Sequence, residues 1–160
     1  MILLSAPNIA GNELRYVKEC LETGWVSSAG PFVSLFENMV AEFAECKYGV
    51  ATVNGTAALH IALEVCGVER NDYVIVPNIT FIASVNSIKY TGADPILIDV
   101  DPLTWQMDLS LLENFLATQT DVVHNRRILK SDGRRIKAIM PVHVLGNMCD
   151  MERLAGLAKR

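Results

Sequence analysis

The residues with the clearest capacity for chemistry are Asn54, Gly55, Thr56 and Ala57, a polar turn between two apolar segments. The segment 56–66 after the turn is rich in strong helix formers, so we expect a helix to begin here. The first turn of a helix has N–H groups without partners and the positive end of the helix dipole, and Thr56 adds a hydroxyl. The turn therefore predicts an anion site, with phosphate as its natural ligand.

An Asn-Gly pair is also the strongest short signal for a β-hairpin. A hairpin requires alternating polarity after the turn, whereas His60 and Glu64 are four positions apart and share one narrow face of a helix. Gly67 is suited to end that helix. We therefore interpret 48–53 as a strand that turns into the helix, although many helices begin in this way without a ligand.

The remaining pattern alternates short apolar runs with helical periodicity, which indicates βαβ units. We predict an α/β fold with a mostly parallel sheet and flanking helices. An N-terminal helix over 12–24 is followed by a loop, and Pro31 begins a second helix. The expected strands are 48–53, 73–76, 95–99 and 136–140, and the later helices are 56–66, 80–91, 109–117 and 150–160. The expected buried face of the second helix is Phe32, Phe36, Met39, Val40 and Phe43.

Ligands of parallel α/β sheets lie beyond the carboxyl ends of the strands. Besides the turn at 54–57, the segments 77–81 and 141–146 are expected there. Phe81 is placed to stack on a flat, phosphorylated ring. His143 has two open interpretations, a catalytic role or a hydrogen bond to the backbone.

Two further polar groups have simpler interpretations than a site. Asp99 and Asp101 could be a carboxylate pair, but Asp101-Pro102 suits a turn and no His or Cys lies near to complete a metal shell, so no metal is expected. The basic stretch 126–137, with Asp132-Gly133 as a hairpin turn, could meet a nucleotide diphosphate, although a solvated ribbon is the simpler account.

Composition limits the function classes. The chain has 160 residues and a net charge of −4, which argues against a nucleic-acid partner. Its four cysteines include no CxxC pair, and Cys20, Cys46 and Cys66 lie in apolar helical patterns, so we expect them reduced and buried in a cytoplasmic protein. Residues 1–4 are too short and uncharged for a signal peptide, and no apolar run reaches membrane-spanning length.

Five segments in order carry a family resemblance. The chain resembles the N-terminal part of the DegT/DnrJ/StrS-type pyridoxal-phosphate-dependent nucleotide-sugar aminotransferases. Val26, Ser27, Ser28 and the insert at 124–136 look most like the legionaminic-acid-pathway branch, which aminates a 4-keto-6-deoxy sugar nucleotide. The matching segments are 24–30, 54–59, 77–83, 92–95 and 141–146.

The resemblance implies roles for particular residues. The cofactor would be pyridoxal 5'-phosphate, with its phosphate held by Gly55, Thr56 and Ala57 and its ring stacked on Phe81. The substrate would be a nucleotide sugar, the amino donor glutamate, and the complete enzyme a homodimer. The resemblance places four residues of the loop at 25–30 on the substrate side, and we add His143 as a substrate-side candidate. The four residues are Trp25, Ser27, Ser28 and Gly30.

The resemblance also implies what residues 1–160 lack. They correspond to the N-terminal part of a type I aminotransferase large domain, with the first helix and the substrate-side loop in 1–31. The Schiff-base lysine and the acidic partner of the ring nitrogen are expected beyond Arg160, so the chain alone is expected to be inactive. Two alternatives stay open, a phosphate-binding α/β module without chemistry and a sugar dehydratase of the same family, in which His replaces the lysine.

Overall fold

The computed structural model describes residues 5–159. Two expectations fall outside the described residues. One is that segment 1–4 is not a signal peptide, and the other is that the last helix extends to Arg160. The chain divides into two compact units with their boundary between Ala51 and Thr52. Within the described residues, no helix has the length and apolarity needed to cross a bilayer.

The first unit contains two helices, α1 and α2. Helix α1 ends at Gly24, whose φ of 76° is a left-handed conformation that favours glycine, and Pro31 occupies the first turn of α2. The rings of Tyr16 and Phe32 meet edge to face with centroids 5.1 Å apart, which joins the two helices. Both helices were predicted; their bounds are Glu13–Thr23 and Pro31–Phe43.

The expected burial of the α2 stripe is wrong. Phe36 is 58% exposed, Phe43 is 93% exposed, and the one buried residue of α2 is Ala41. Apolar periodicity predicts which face of a helix packs against other elements, but it does not supply those elements. The described residues of this unit contain one other helix, which leaves most of the α2 stripe exposed. The other expected stripe residues are exposed, at Met39 and Val40, or half-buried, at Phe32.

The second unit has a parallel three-stranded sheet of β1 (Tyr73–Pro77), β2 (Asp94–Ile98) and β5 (Ile136–Ile139), in the order β2-β1-β5. The middle strand β1 directs alternate side chains to two cores: Ile75 packs in one cluster, and Val74 and Val76 pack in the other. The α/β prediction is thereby confirmed. The helices of this unit are α3 (Gly55–Val65), α4 (Ile82–Tyr90), α5 (Leu109–Gln119) and α6 (Met151–Ala158).

The predicted strand 48–53 is absent. Val50 and Val53 are 78% and 89% exposed, and no described strand pairs with this segment. An extended segment forms a β-strand only when a neighbouring strand pairs with it, and the sequence of the segment alone does not show whether such a neighbour exists. The segment is instead held to α2, because the Ala51 amide donates to Glu37 Oε1 at 2.8 Å. The anion turn therefore follows an irregular segment rather than a sheet strand.

A two-stranded hairpin of β3 (Thr120–Val123) and β4 (Arg126–Leu129) was not predicted. His124 and Asn125 form its two-residue turn with φ of 48° and 60°, the backbone that the right-handed twist of a hairpin favours. The hairpin turn expected at Asp132-Gly133 is present: the Gly133 amide donates to the Leu129 carbonyl at 2.8 Å, and Ile128 pairs antiparallel with Arg135 across the turn.

Two arginines of the basic stretch are not solvated. Arg135 holds Asp72 with two hydrogen bonds, of which Nε to Oδ1 is 2.8 Å. Arg134 binds Asp94 and stacks over the Tyr73 ring, 4.0 Å from its centroid. Burial raises the pKa of Asp72, but hydrogen bonds led by that from Arg135 outweigh it, so the pKa is lowered overall. The solvated-ribbon interpretation is wrong for these two residues, which join the start of β5 to the neighbouring strands.

The expected burial of three cysteines is also wrong. Cys46 and Cys66 are exposed and Cys20 is half-buried, whereas the buried thiol is that of Cys149. Cys46 and Cys66 follow the last turns of α2 and α3, where side chains leave the core-facing stripe. Burial raises the pKa of the Cys149 thiol.

Candidate cofactor site

The first turn of α3 is capped by Asn54. Its side-chain oxygen accepts a hydrogen bond from the Ala57 amide at 2.9 Å, and the Thr52 hydroxyl donates to the Asn54 carbonyl at 3.0 Å. Asn54 has extended backbone angles, as an N-cap residue does. The capping role is therefore filled by Asn54, and Thr56 is not needed for it.

The groups that could bind an anion have no other task in the described part of the chain. The amides of Gly55 and Thr56 and the Thr56 hydroxyl make no hydrogen bond to any residue in 5–159. A Cβ on Gly55 would meet no atom within 4 Å, so neither packing nor a left-handed φ requires glycine there. Three donors on an open first turn are suited to a phosphate, and the phosphate site stays a prediction.

Phe81 lies immediately before α4, the helix that packs against α3. Its backbone is held, because the Ser84 amide donates to the Phe81 carbonyl at 3.0 Å and the Thr80 and Ser84 hydroxyls share a hydrogen bond of 2.8 Å. Its ring is 80% exposed, so Phe81 is not a core residue. A fixed backbone with an exposed flat face fits a stacking role.

The carboxyl ends of β1, β2 and β5 share one edge because these strands are parallel. At this edge the Asn78 amide group donates to Asp99 Oδ1 at 2.8 Å. The Asp101 carboxylate accepts from the amides of Leu103 and Thr104, which lowers its pKa and makes it a turn residue, as expected. No group of three or more His, Cys, Asp or Glu in the described residues could hold a metal ion.

His143 lies in the loop after β5. Its Nδ1 accepts a hydrogen bond from the Cys149 amide at 3.2 Å, so a neutral ring carries its proton on Nε2. The predicted bond to a backbone group is therefore present. The ring is exposed, and its Nε2–H has no hydrogen bond to the residues described, so it can donate to a ligand at this edge.

The loop of His143 is joined to the loop after β2 by a buried pair that the sequence pattern did not indicate. The Cys149 thiol donates to Gln106 Oε1 at 3.0 Å, and both residues are about 5% exposed. Neither residue belongs to a periodic segment, and 43 positions separate them. The one available signal was a polar residue, Gln106, beside apolar neighbours at Met107 and Leu109.

The substrate-side candidates of the first unit form a loop between α1 and α2. A Cβ on Gly30 would lie 3.3 Å from Trp25 Cβ, and Gly30 has φ of 148°, so the indole packs on a position that requires glycine. Ser27 and Ser28 are exposed, and Trp25 is 53% exposed. Their substrate role stays a prediction.

The lysines of the described chain do not resemble a Schiff-base lysine, which is typically desolvated. All of them are exposed. Lys89 is paired with Asp94, Lys130 donates to the Thr118 carbonyl, and Lys18 lies near Glu22. The others are Lys47, Lys137 and Lys159.

Comparison with known proteins is consistent with this site. The GDP-perosamine synthases of Escherichia coli O157:H7 and Caulobacter vibrioides are 45% and 42% identical to this chain, over 96% and 99% of it and 38% of each relative. The Spr1654 protein of Streptococcus pneumoniae in its PLP form matches with a TM-score of 0.78 and 31% identity, over 98% of this chain and 36% of that structure.

The chain thus spans less than two fifths of the length of these curated relatives. The solved neighbours include PLP and PMP forms, and pyridoxal phosphate is the cofactor of this class of aminotransferase. The family model matches residues 7–160, nearly the whole chain. The chain belongs to the DegT/DnrJ/EryC1/StrS aminotransferase family.

Proposed function

We propose that the whole protein transfers an amino group, supplied by glutamate, to a 4-keto-6-deoxy nucleotide sugar. Residues 1–160 are the N-terminal part of its cofactor-binding large domain. The observation that carries the proposal is the first turn of α3, where Gly55 and Thr56 offer donors that no described residue uses. The product would enter the synthesis of a surface polysaccharide or of a sialic-acid-like sugar.

The cofactor would be held by residues on two adjacent helices. Gly55, Thr56 and Ala57 receive the phosphate, and Phe81 stacks on the ring. Of the three amides, that of Ala57 already serves Asn54, so Gly55 and Thr56 provide the stronger donors. Pyridoxal phosphate supplies an electron sink when bound. The Schiff-base lysine and the acidic partner of the ring nitrogen come from outside residues 1–160 in this proposal.

Sugar binding is proposed separately for two groups of residues, the loop of Trp25, Ser27, Ser28 and Gly30 in the first unit and His143 in the second. The serine hydroxyls are exposed, and the His143 Nε2–H is a donor suited to a carbonyl, hydroxyl or phosphate oxygen. The identity to GDP-perosamine synthases supports a keto sugar attached to a nucleoside diphosphate. The sequence of the 26–28 segment leads us to retain a legionaminic-type product as the second sugar to test.

The test is amino transfer by the purified whole protein. The protein is incubated with pyridoxal phosphate, ¹⁵N-glutamate and either a GDP-linked or a UDP-linked 4-keto-6-deoxy sugar, and the product is analysed by mass spectrometry. We expect one amino sugar nucleotide that carries ¹⁵N. A deoxygenated sugar without ¹⁵N would show a dehydratase instead, and omission of each sugar is the control.

His143→Asn and His143→Gln separate two roles of the ring. Asparagine keeps an acceptor near the Nδ1 position, and glutamine keeps a donor near the Nε2 position. If Nε2–H contacts the sugar, His143→Asn raises KM for the nucleotide sugar several-fold and His143→Gln raises it less. Equal KM values for His143→Asn and the wild type would remove His143 from the substrate site.

We infer further that the whole protein is a cytoplasmic homodimer. The exposed apolar face of α2, including Phe36 and Phe43, supports an association that covers it. Light scattering at several concentrations is expected to give twice the mass of one chain. A single-chain mass at micromolar concentration would contradict the dimer.

A further inference from the structure

The loops after β2 and β5 are joined by a small polar cluster in the second unit. The Cys149 thiol donates to Gln106 Oε1 at 3.0 Å and lies 3.4 Å from the Val142 carbonyl. A second bond between the loops runs from the Asn147 side-chain amide to the Thr104 carbonyl at 3.3 Å. The single thiol hydrogen therefore faces two acceptors, of which Gln106 Oε1, in the loop after β2, is the nearer.

Gln106 is itself held in one orientation. Its side-chain amide faces the Thr104 carbonyl at 3.4 Å, and its backbone carbonyl accepts from the Asp101 amide at 2.9 Å. A glutamine that donates on one side presents its oxygen on the other, which is where the thiol lies. Because Gln106 is buried, loss of the thiol would leave that oxygen without a partner.

The same cysteine sets the state of His143. Its amide donates to His143 Nδ1 at 3.2 Å, so the position of Cys149 decides whether that bond forms. Between the two residues, Leu145 adopts φ of 53° and ψ of 26°, a conformation unfavourable for a leucine whose side chain is 92% exposed. Its own packing does not compensate for this strain, so hydrogen bonds hold the conformation: the Gly146 amide donates to the His143 carbonyl at 3.1 Å within the loop, and the contacts of Cys149 hold the end of the loop.

We propose that Gln106 and Cys149 are positioning residues that hold His143 as its Nε2–H tautomer, with that donor directed to the ligand edge of the sheet. The clasp, defined as the Gln106 Oε1, Cys149 thiol, Cys149 amide and His143 Nδ1 contacts, joins a buried anchor to an exposed ring. The proposal rests on the proposed function in one respect, namely that the group contacted by His143 belongs to the nucleotide sugar. An apolar residue at either anchor would fill the space and would not fix the ring.

The test compares four variants by NMR of histidine-labelled whole protein with its cofactor. Cys149→Ala and Gln106→Met each remove one partner of the buried bond, Cys149→Ser keeps a donor to Gln106, and Cys66→Ala is the matched control for loss of an exposed cysteine. The His143 signal is assigned as the one absent from His143→Asn. Ring ¹⁵N shifts report which nitrogen carries the proton.

We expect a single Nε2–H tautomer in the wild type, in Cys66→Ala and in Cys149→Ser. Cys149→Ala and Gln106→Met are expected to give a mixture of tautomers, with KM for the nucleotide sugar raised about tenfold or less and kcat changed less than KM. Wild-type shifts in both of these variants would overturn the clasp. So would a mixture in a folded Cys149→Ser protein, which settles the question if the other two variants fail to fold.

The NMR result is independent of the substrate. A clasp confirmed by the tautomer signals together with an unchanged KM in His143→Asn would reject the substrate role of His143 and leave the positioning intact. Altered KM in His143→Asn with unchanged tautomers in Cys149→Ala and Gln106→Met would reject the clasp alone. The two failures are therefore distinguishable.

Discussion

Replacement of Thr56 by valine in the whole protein is expected to weaken the binding of pyridoxal phosphate without loss of the fold. The hydroxyl has no partner among the described residues, so its removal breaks no bond within them. A hydrogen bond to a charged group contributes about 1.5–3 kcal/mol. At about 1.4 kcal/mol per tenfold change, the dissociation constant should rise about 10- to 150-fold.

The cap provides a built-in comparison. Asn54→Ala removes the acceptor of the Ala57 amide and should cost about 1 kcal/mol of stability, in the cofactor-free protein as well. Thr56→Val should leave the cofactor-free melting temperature near that of the wild type, because valine and threonine have similar helix propensities. Thr118→Val, in α5, is the control for the same substitution at a hydroxyl that donates to the Asn114 carbonyl.

The assay is titration of the cofactor-free whole protein with pyridoxal phosphate, followed by protein fluorescence, beside thermal unfolding of the same samples. Thr118→Val should bind like the wild type. Wild-type affinity in Thr56→Val would refute the assignment of the hydroxyl to the phosphate. A loss of stability equal to that of Asn54→Ala would show that Thr56 acts on the helix rather than on the ligand.

Phe81→Leu is expected to loosen cofactor binding about tenfold or less and to shift its absorbance, while Phe81→Trp retains a flat face and both properties; equal spectra for all three proteins would contradict stacking. Since the pKa of Asp72 is lowered by folding, its ion pair stabilises the protein above about pH 4 and is lost as pH falls through the folded pKa. The free energy of unfolding should therefore fall more steeply with acid in the wild type than in Asp72→Asn, and parallel curves would show no such contribution. Arg135→Met should cost on the order of 3 kcal/mol in denaturant unfolding, because the buried Asp72 carboxylate loses its ion-pair partner and keeps only the hydrogen bond from the Glu69 amide; a wild-type midpoint would count against the pair. Borohydride reduction of the whole protein with its cofactor should label no lysine within residues 1–160 stoichiometrically, and mass spectrometry of the peptides would expose any exception.

The parts of the fold that could be predicted are those whose signal lies within one segment. The run of Val74, Ile75 and Val76 is buried on both faces and is the centre of the sheet. The helix formers after Gly55 form α3 as expected, because propensity and the Asn54 cap agree at that position. Because of this local agreement, the residues predicted to bind an anion lie on the first turn of a helix, while their role as an anion site stays a prediction.

The features that were missed depend on distant partners. The apolar segment around Val50 and Val53 is typical of a strand, but the described chain contains no strand that pairs with it. The solvated-ribbon interpretation failed for Arg135 because its carboxylate partner, Asp72, is 63 residues away. The contact between Gln106 and Cys149 joins two loops, and loops carry no periodicity from which a contact could be inferred.

The order of strands in the parallel sheet has a consequence for how the chain folds during synthesis. Asn78 and Asp99, at the ends of β1 and β2, are separated by 21 residues, whereas Asp72 and Arg135, at the starts of β1 and β5, are separated by 63. Closing the longer loop costs about 1 kcal/mol more entropy. The pair of β1 and β2 can therefore form as soon as residues near 100 leave the ribosome, with the edge that β5 will occupy still open. The arginines at 134 and 135 are made just before β5, after Asp94 and Asp72, so we expect these charge pairs to guide β5 to the open edge before its apolar side chains are buried.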